Sequence, residues 1–199
     1  MAKSDNGNGK TEKNKHSRWV ITIFFVTFLI SATISWASDE IMSVSSVAVA
    51  FVILLVIVFI GIVFDILGMA VASALETPFH SMASRKVPGA QESILLLRNA
   101  ERVSSICNDV IADICGVVSG SASATIAAQV LSNLEFSFPQ LITLAMSASV
   151  AALTVGGKAV GKSFAINCCT EIVYTAGKII YFFRHLGDLF KKKGKKNKA

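Results

Sequence analysis

Two carboxylates four positions apart stand inside an otherwise apolar stretch of this sequence. A helix would place Asp109 and Asp113 on one face, with Asn108 adjacent. A carboxylate in hydrocarbon costs about 2.5 to 3.5 kcal/mol even on a lenient insertion scale, so something must compensate this pair. The three side chains offer oxygen ligands without a nearby thiolate or imidazole, which favours a hard cation such as Mg²⁺ over zinc or copper.

Other charged and polar residues could complete or neutralise such a site. Asp65, Ser73 and Glu76 follow one another along the preceding apolar segment and add further oxygens, although each alone is also typical of a solvated helix end. Lys158 or Lys162 would instead neutralise one of the carboxylates as an ion pair. A position at the water interface is a third explanation, and the residues alone leave all three open.

The elements that must position these residues are membrane spans. The chain is 53% hydrophobic and only 16% charged, which is too apolar for an ordinary soluble domain. Its apolar residues form runs close to the roughly 20 residues that cross a bilayer core. These runs cover 19–37, 47–64, 103–130 and 138–155. We therefore predict an all-α integral membrane protein with four transmembrane helices: three core spans, an added N-terminal span, and juxtamembrane amphipathic helices.

The distribution of basic residues orients the predicted spans. All 19 Lys and Arg residues fall in segments 1–18, 76–102 and 158–199, whereas connections 38–46 and 131–137 contain acidic residues and no base. Because cytoplasmic segments collect Lys and Arg, both termini are expected in the cytoplasm of a multi-pass protein of the cell membrane.

The net charge of +6 raises the question of an anionic partner. The bases adjoin membrane spans and are not interleaved with aromatic residues that could stack on nucleotides, so a nucleic-acid partner is not expected. A polybasic tail beside a bilayer is better suited to anionic lipid.

The composition along the chain predicts four regions. Residues 1–17 form a basic cytoplasmic leader and residues 191–199 a polybasic tail, both expected to be disordered. Residues 18–38 form the added span, which we favour as retained; cleavage as a secretory signal would leave three spans. Residues 44–190 form the main membrane domain.

One extended span and two further helices are expected on the cytoplasmic side. The second span should continue from residue 47 to Glu76, where Thr77-Pro78 interrupts it. An interfacial helix is expected over 90–102, and apolar residues at helical spacing predict an amphipathic helix over 164–190. This last helix would lie on the inner leaflet, or alternatively bind a soluble partner.

Small residues recur every four positions in the third span, which allows another helix to approach closely. They are Ala112, Gly116, Gly120 and Ala124. The spacing alone leaves open whether they pack within one chain or form the seam of a homodimer.

Several of these motifs, taken in order, resemble the transmembrane domain of the CorB/CorC (CNNM, cyclin M) magnesium transporter family. The resemblance covers about residues 48–185 and leaves the first span as an addition. Its motifs are SALET at 73–77, Arg85, NAERV at 99–103, Asn108, the small-residue span, and GKAVGKSFA at 157–165.

The resemblance implies a function and a site. Members of that family are dimers believed to move Mg²⁺ outward in exchange for Na⁺. Ser73 and Asn108 match positions near the family's cation site, and backbone oxygens near Gly161 match an irregular turn that completes it. The family's cytosolic regulatory domains would follow where this chain ends, so a separate cytosolic regulatory subunit is a possible partner.

Departures from the family pattern separate two functional hypotheses. The second Asn of the family's Gly-Asn motif is Ala112 here, and the family's Glu and Pro in the last motif are Lys158 and Gly161. A lysine near a cation site would repel the ion. A second carboxylate, in contrast, would attract it. The first hypothesis, which follows the family resemblance, is divalent-cation transport or binding, with Mg²⁺ as the ion and Na⁺ as a possible coupling ion. The alternative is a non-transporting membrane scaffold or subunit in which Lys158 replaces the cation.

An enzyme is not expected. His16, His80 and His185 fall in separate segments, and no metalloprotease, serine-hydrolase or P-loop spacing occurs.

Overall fold

The computed structural model describes residues 8–133 and 139–196, and within these ranges it is helical with no strand. The helices are α1 (Asn8–Val44), α2 (Val47–Ser73), α3 (Thr77–Ser84), α4 (Ala90–Arg98), α5 (Ala100–Ser105), a π-helical segment (Ile106–Ala112), α6 (Asp113–Asn133), α7 (Pro139–Asn167) and α8 (Cys169–Lys196). The predicted all-α class is confirmed for this part of the chain.

Four stretches of the described residues are long and apolar enough to cross a membrane. They are Ile21–Met42, Val47–Ser73, Ala100–Ser132 and Gln140–Asn167. Large apolar side chains such as Phe24, Phe28 and Phe59 are exposed on the outside of the bundle. Hydrocarbon is the natural environment for such a surface, since soluble proteins rarely expose large contiguous apolar patches. The coarse prediction of a multi-pass membrane protein agrees with this arrangement.

Helix α2 ends earlier than the sequence predicts. Its last residue is Ser73, and Ala74 has extended backbone angles. Pro78 then lies in the first turn of α3, where its missing N–H is tolerated. Helix α2 therefore ends three residues before Glu76, and Pro78 lies at the start of a new helix.

Both terminal regions are more helical than expected where the structure describes them. Helix α1 begins at Asn8, inside the leader predicted to be disordered, and α8 continues through the basic tail to Lys196. Lys and Glu are good helix formers and extend a helix that the apolar residues have already nucleated. Residues 1–7 and 197–199 lie outside the described residues, as does connection 134–138.

Two of the three buried clusters of the described residues lie along α2; the third is formed by Val110, Ile114 and Val118. Near the start of α2, Leu54 and Val58 pack with Met42 of α1, Ile126 of α6 and Val150 of α7. Near its end, a second cluster joins α2 and α7 to the short helices and α8. The buried members of this second cluster are Ala70, Val71, Phe79, Ile94, Leu97, Ala165 and Val173. The short helices α3 to α5 and the start of α8 therefore form a packed cap on the ends of α2 and α7.

The helix predicted over 90–102 is present as α4 and α5 with a break at Asn99. The predicted helix contains an apolar patch, Ile94 to Leu97, of which Ile94 and Leu97 are buried in the cap and Leu95 is exposed. Part of this patch therefore packs on the protein itself.

Candidate functional site: a charged cluster between three spans

A lysine of α7 meets carboxylates of two other membrane-length helices. Lys158 Nζ lies 3.3 Å from Asp113 Oδ1 of α6 and 3.9 Å from Asp65 Oδ1 of α2. The side chains of Lys158 and Asp65 are 25% and 18% exposed, whereas that of Asp113 is 67% exposed. The ion pair between Lys158 and Asp113, one of the explanations left open by the sequence, is therefore present. The contribution of Asp65 to it could not be read from sequence spacing.

The cluster lies inside the spans and away from their ends. Asp65 precedes the end of α2 at Ser73 by eight residues, and Lys158 precedes the end of α7 at Asn167 by nine. At 1.5 Å per residue these positions are about 12 and 14 Å from the helix ends. Two carboxylates and one ammonium leave the cluster with a formal charge of −1, so the lysine compensates only part of the negative charge.

Close packing of α7 on α2 brings Lys158 to its partners. A Cβ atom added to Gly157 would lie 2.3 Å from Ile62 Cδ1, and one added to Gly161 would lie 2.7 Å from Ile66 Cγ1. Glycines four residues apart let two membrane helices approach in this way. Helix α7 continues through Gly161 without a break, so the irregular turn implied by the family resemblance is not found there. Gly161 allows the close approach of α7 to α2, because a larger residue would collide with Ile66.

Asn108 lies in the π-helical segment and faces α2. Its Nδ2 donates a weak hydrogen bond to Ser104 Oγ at 3.4 Å. Its Oδ1 is buried and has no hydrogen-bond partner among the described residues. A Cβ atom added to Gly68 would lie 2.0 Å from this oxygen, so the glycine makes the space that Asn108 occupies. π-helical turns are rare and frequently occur at functional sites. Nothing in the residue pattern predicted this one.

Asp109 and Asp113 do not act together in the structure. Asp109 is exposed, and its Oδ2 accepts a hydrogen bond from Ser105 Oγ at 2.7 Å. Asp109 lies in the π-helical segment and Asp113 begins α6. The two carboxylates therefore have different partners: Asp109 contacts Ser105, and Asp113 contacts Lys158.

The remaining predicted oxygen ligands lie apart from the cluster. Ser73 is exposed at the end of α2, and Glu76 Oε2 lies 3.2 Å from His80 Nε2. Lys162 is exposed one turn after Lys158. No group of three or more His, Cys, Asp or Glu side chains that could hold a metal ion occurs in the part of the chain that the structure describes.

The stripe of small residues in α6 mostly faces outward. Ala112 is buried, but a Cβ atom added to Gly116 or Gly120 would meet nothing within 4 Å, and Ala124 is exposed. Packing within the described chain therefore does not use Gly116, Gly120 or Ala124, and a dimer seam on this stripe stays a prediction.

Close approach between α2 and the third span depends instead on the glycines of α2. A Cβ atom added to Gly61 would lie 2.8 Å from Cys115 Cβ, and Gly68 makes room for Asn108. Gly61 and Gly68 are seven residues apart, about two helical turns, and this spacing was the signal that could have found them.

Gly68→Ala is expected to destabilise the protein by about 1 to 3 kcal/mol, as overpacking of a tight contact does. The added methyl group would occupy the space of the Asn108 amide and push the π-helical segment from α2. Thermal unfolding in detergent measures the effect. Gly156→Ala is the matched control because a Cβ atom at that glycine meets nothing within 4 Å. Equal melting temperatures for the two variants would contradict the packing role of Gly68.

No family model, curated protein or solved structure matches this chain.

Proposed function

We propose that this chain is a non-transporting membrane subunit built on a CorB/CorC-like plan, in which the ammonium group of Lys158 takes the place of a divalent cation. One observation carries the proposal: Lys158 Nζ lies within 4.0 Å of carboxylate oxygens from both Asp65 and Asp113. A divalent ion about 4 Å from this ammonium would be repelled by about 8 kcal/mol at an effective dielectric constant of 20. Binding such an ion would require Lys158 to leave its partners.

As a subunit, the chain would present a helical platform to other proteins. The packed cap of α3 to α5 and the start of α8 joins the ends of α2 and α7, next to the basic segments of the sequence. By the positive-inside rule this side is the cytoplasm, and both termini lie there. A separate cytosolic regulatory subunit is the partner that this platform would hold. A second copy of the chain would pack on Gly116, Gly120 and Ala124.

Transport or binding of a divalent cation is the second candidate function, with Mg²⁺ as the ion and Na⁺ as a possible coupling ion. Two observations favour it. The Oδ1 atom of Asn108 is buried without a hydrogen-bond partner among the described residues, and the charged cluster keeps one formal negative charge. Ionisable groups inside membrane spans commonly mark ion pathways. In this function Lys158 would leave the carboxylates of Asp65 and Asp113 when the ion binds to them, and would return when the ion leaves.

Mg²⁺ flux into proteoliposomes that contain a Mg²⁺-sensitive dye distinguishes the two functions. We expect flux through the wild-type protein equal to that of protein-free liposomes, because Lys158 already neutralises one of the two charges. The opposite result would be flux that is present in the wild type, lost in Asp113→Asn and Asn108→Ala, and retained in Glu101→Gln. It would reject the proposal of a non-transporting subunit and establish transport. Glu101 is a suitable control because it is an exposed carboxylate of α5, outside the cluster.

A further inference from the structure

Helix α8 contacts the rest of the protein through one face only. Val173 and Gly177 are buried against the cap, and Ser93 Oγ of α4 donates a hydrogen bond to the Val173 carbonyl oxygen at 3.2 Å. Further along, Arg184 Nη1 lies 3.9 Å from Glu92 Oε1. These residues of α8 are spaced four and seven apart, so they share one side of the helix.

A second face of α8 is apolar and has no protein covering it among the described residues. Ile179 is 53% exposed and Phe183 68% exposed, four residues apart on a side distinct from that of Val173 and Gly177. Phe182 is exposed beside them. In contrast to the exposed residues of α1 and α2, these three lie beyond the last membrane span, which ends at Asn167.

The position of α8 along the chain indicates what covers this face. A single residue, Cys168, separates the end of α7 from the start of α8, so α8 begins directly after the last membrane-length helix. The helix has 28 residues and is about 42 Å long. A helix with a strong apolar face in this position can lie along the membrane surface.

Charge selects the kind of membrane surface. After Glu171 the sequence contains one acidic residue, Asp188, and eight basic residues: Lys178, Arg184, Lys191, Lys192, Lys193, Lys195, Lys196 and Lys198. Clusters of four to eight bases beside a span or on an amphipathic helix are attracted to anionic lipid headgroups.

We propose that α8 binds an anionic lipid surface, with Ile179, Phe182 and Phe183 inserted among the lipids and the basic end of the chain against their headgroups. The face that carries Val173 and Gly177 holds the helix on the cap at the same time. This inference is independent of whether the charged cluster binds a cation.

Tryptic cleavage of the full-length protein in nanodiscs tests the proposal. One nanodisc preparation contains phosphatidylcholine alone and the other contains roughly one third phosphatidylglycerol, an anionic lipid. Cleavage sites after residue 178, identified by mass spectrometry, should be cut about tenfold more slowly in the anionic discs. In about 1 M NaCl, where the Debye length is about 3 Å, most of this protection should disappear.

Two variants separate the contributions of apolar contact and charge. Ile179→Ser with Phe183→Ser should lose protection in anionic discs, whereas Leu75→Ser should retain it, since Leu75 is equally exposed but lies between α2 and α3. Replacement of the six lysines at 191–198 by glutamine should abolish the difference between the two lipids, as measured at the two tryptic sites that remain, Lys178 and Arg184. The exposed positions of Ile179 and Phe183 predict unchanged melting temperatures for the serine variant.

Equal cleavage rates in the two kinds of disc at low salt would overturn the proposal. Protection that depends on two copies of the chain per disc, and not on lipid charge, would assign the apolar face to a second copy and would also overturn it.

Discussion

Lys158→Met is expected to destabilise the bundle and to create a Mg²⁺-binding site in it. Methionine keeps an unbranched side chain, one atom shorter than that of lysine, but removes the only positive charge that lies within 4.0 Å of both Asp65 and Asp113 among the described residues. Breaking a buried ion pair costs about 3 to 5 kcal/mol. Because Asp113 is largely exposed, we expect a smaller loss here, about 1 to 3 kcal/mol.

The same substitution leaves the carboxylates of Asp65 and Asp113 without the lysine that contacts both, with a formal charge of −2. Oxygen ligands of this kind suit Mg²⁺, which should bind to the variant and restore part of its lost stability. Thermal unfolding in detergent, with and without millimolar MgCl₂, measures both effects. The melting temperature of Lys158→Met should rise with Mg²⁺, and that of the wild type should not.

Lys162→Met is the matched control for this experiment. Lys162 lies one turn further along α7 and is exposed, so its loss should change neither the stability nor the response to Mg²⁺. A Mg²⁺ response as large in the wild type as in Lys158→Met would contradict the idea that the lysine occupies the cation's place.

Gly177→Ala is expected to separate α8 from the cap. A Cβ atom at this position would lie 2.1 Å from Ser93 Oγ and 2.6 Å from the Gly89 carbonyl oxygen. The hydroxyl group can rotate away, but the carbonyl belongs to the backbone and cannot. Overpacking of this kind costs about 1 to 3 kcal/mol and occasionally more; we expect the upper part of this range because the contact is made with backbone.

Thermal unfolding and limited proteolysis together check this result. Gly177→Ala should melt at a lower temperature than the wild type and be cut more rapidly after Lys178 and Arg184, since α8 would no longer pack on α4. Gly156→Ala is the control, because a Cβ atom at that glycine of α7 meets nothing within 4 Å. Identical melting temperatures and cleavage rates in the two variants would show that the packing of α8 on the cap does not depend on the close contact at Gly177.

The contact between α4 and α8 also explains why Gly89 is a glycine. Its φ is +88°, in the left-handed region that residues with a side chain rarely adopt. A Cβ atom there would also lie 2.8 Å from the Lys178 backbone nitrogen. The sequence places Gly89 after Pro88 and so indicates a turn, but it does not show that this turn is the surface on which α8 rests.

The residue types and their order along the chain were sufficient to predict most of the helices, although not α3, which lies where only an interruption was predicted. Long apolar runs require helices in a membrane, since every backbone polar group must be satisfied within its own segment. The amphipathic spacing in α8 and the prolines that begin α3 and α7 are equally local signals. For this reason the four membrane-length helices, the helix around 90–98 and the last amphipathic helix could be predicted from the sequence alone.

The composition of the charged cluster was decided only by tertiary structure. The sequence offered Asp109 with Asp113 as a pair, but Asp109 contacts Ser105, and the crossing of α7 on α2 brings Lys158 to Asp65 and Asp113. Which side of a helix meets its neighbour depends on the fit of all the packed side chains, including the space at Gly61, Gly68, Gly157 and Gly161. The sequence by itself therefore determined that charges lie inside the long apolar helices, and the packing of these helices decided which of those charges meet.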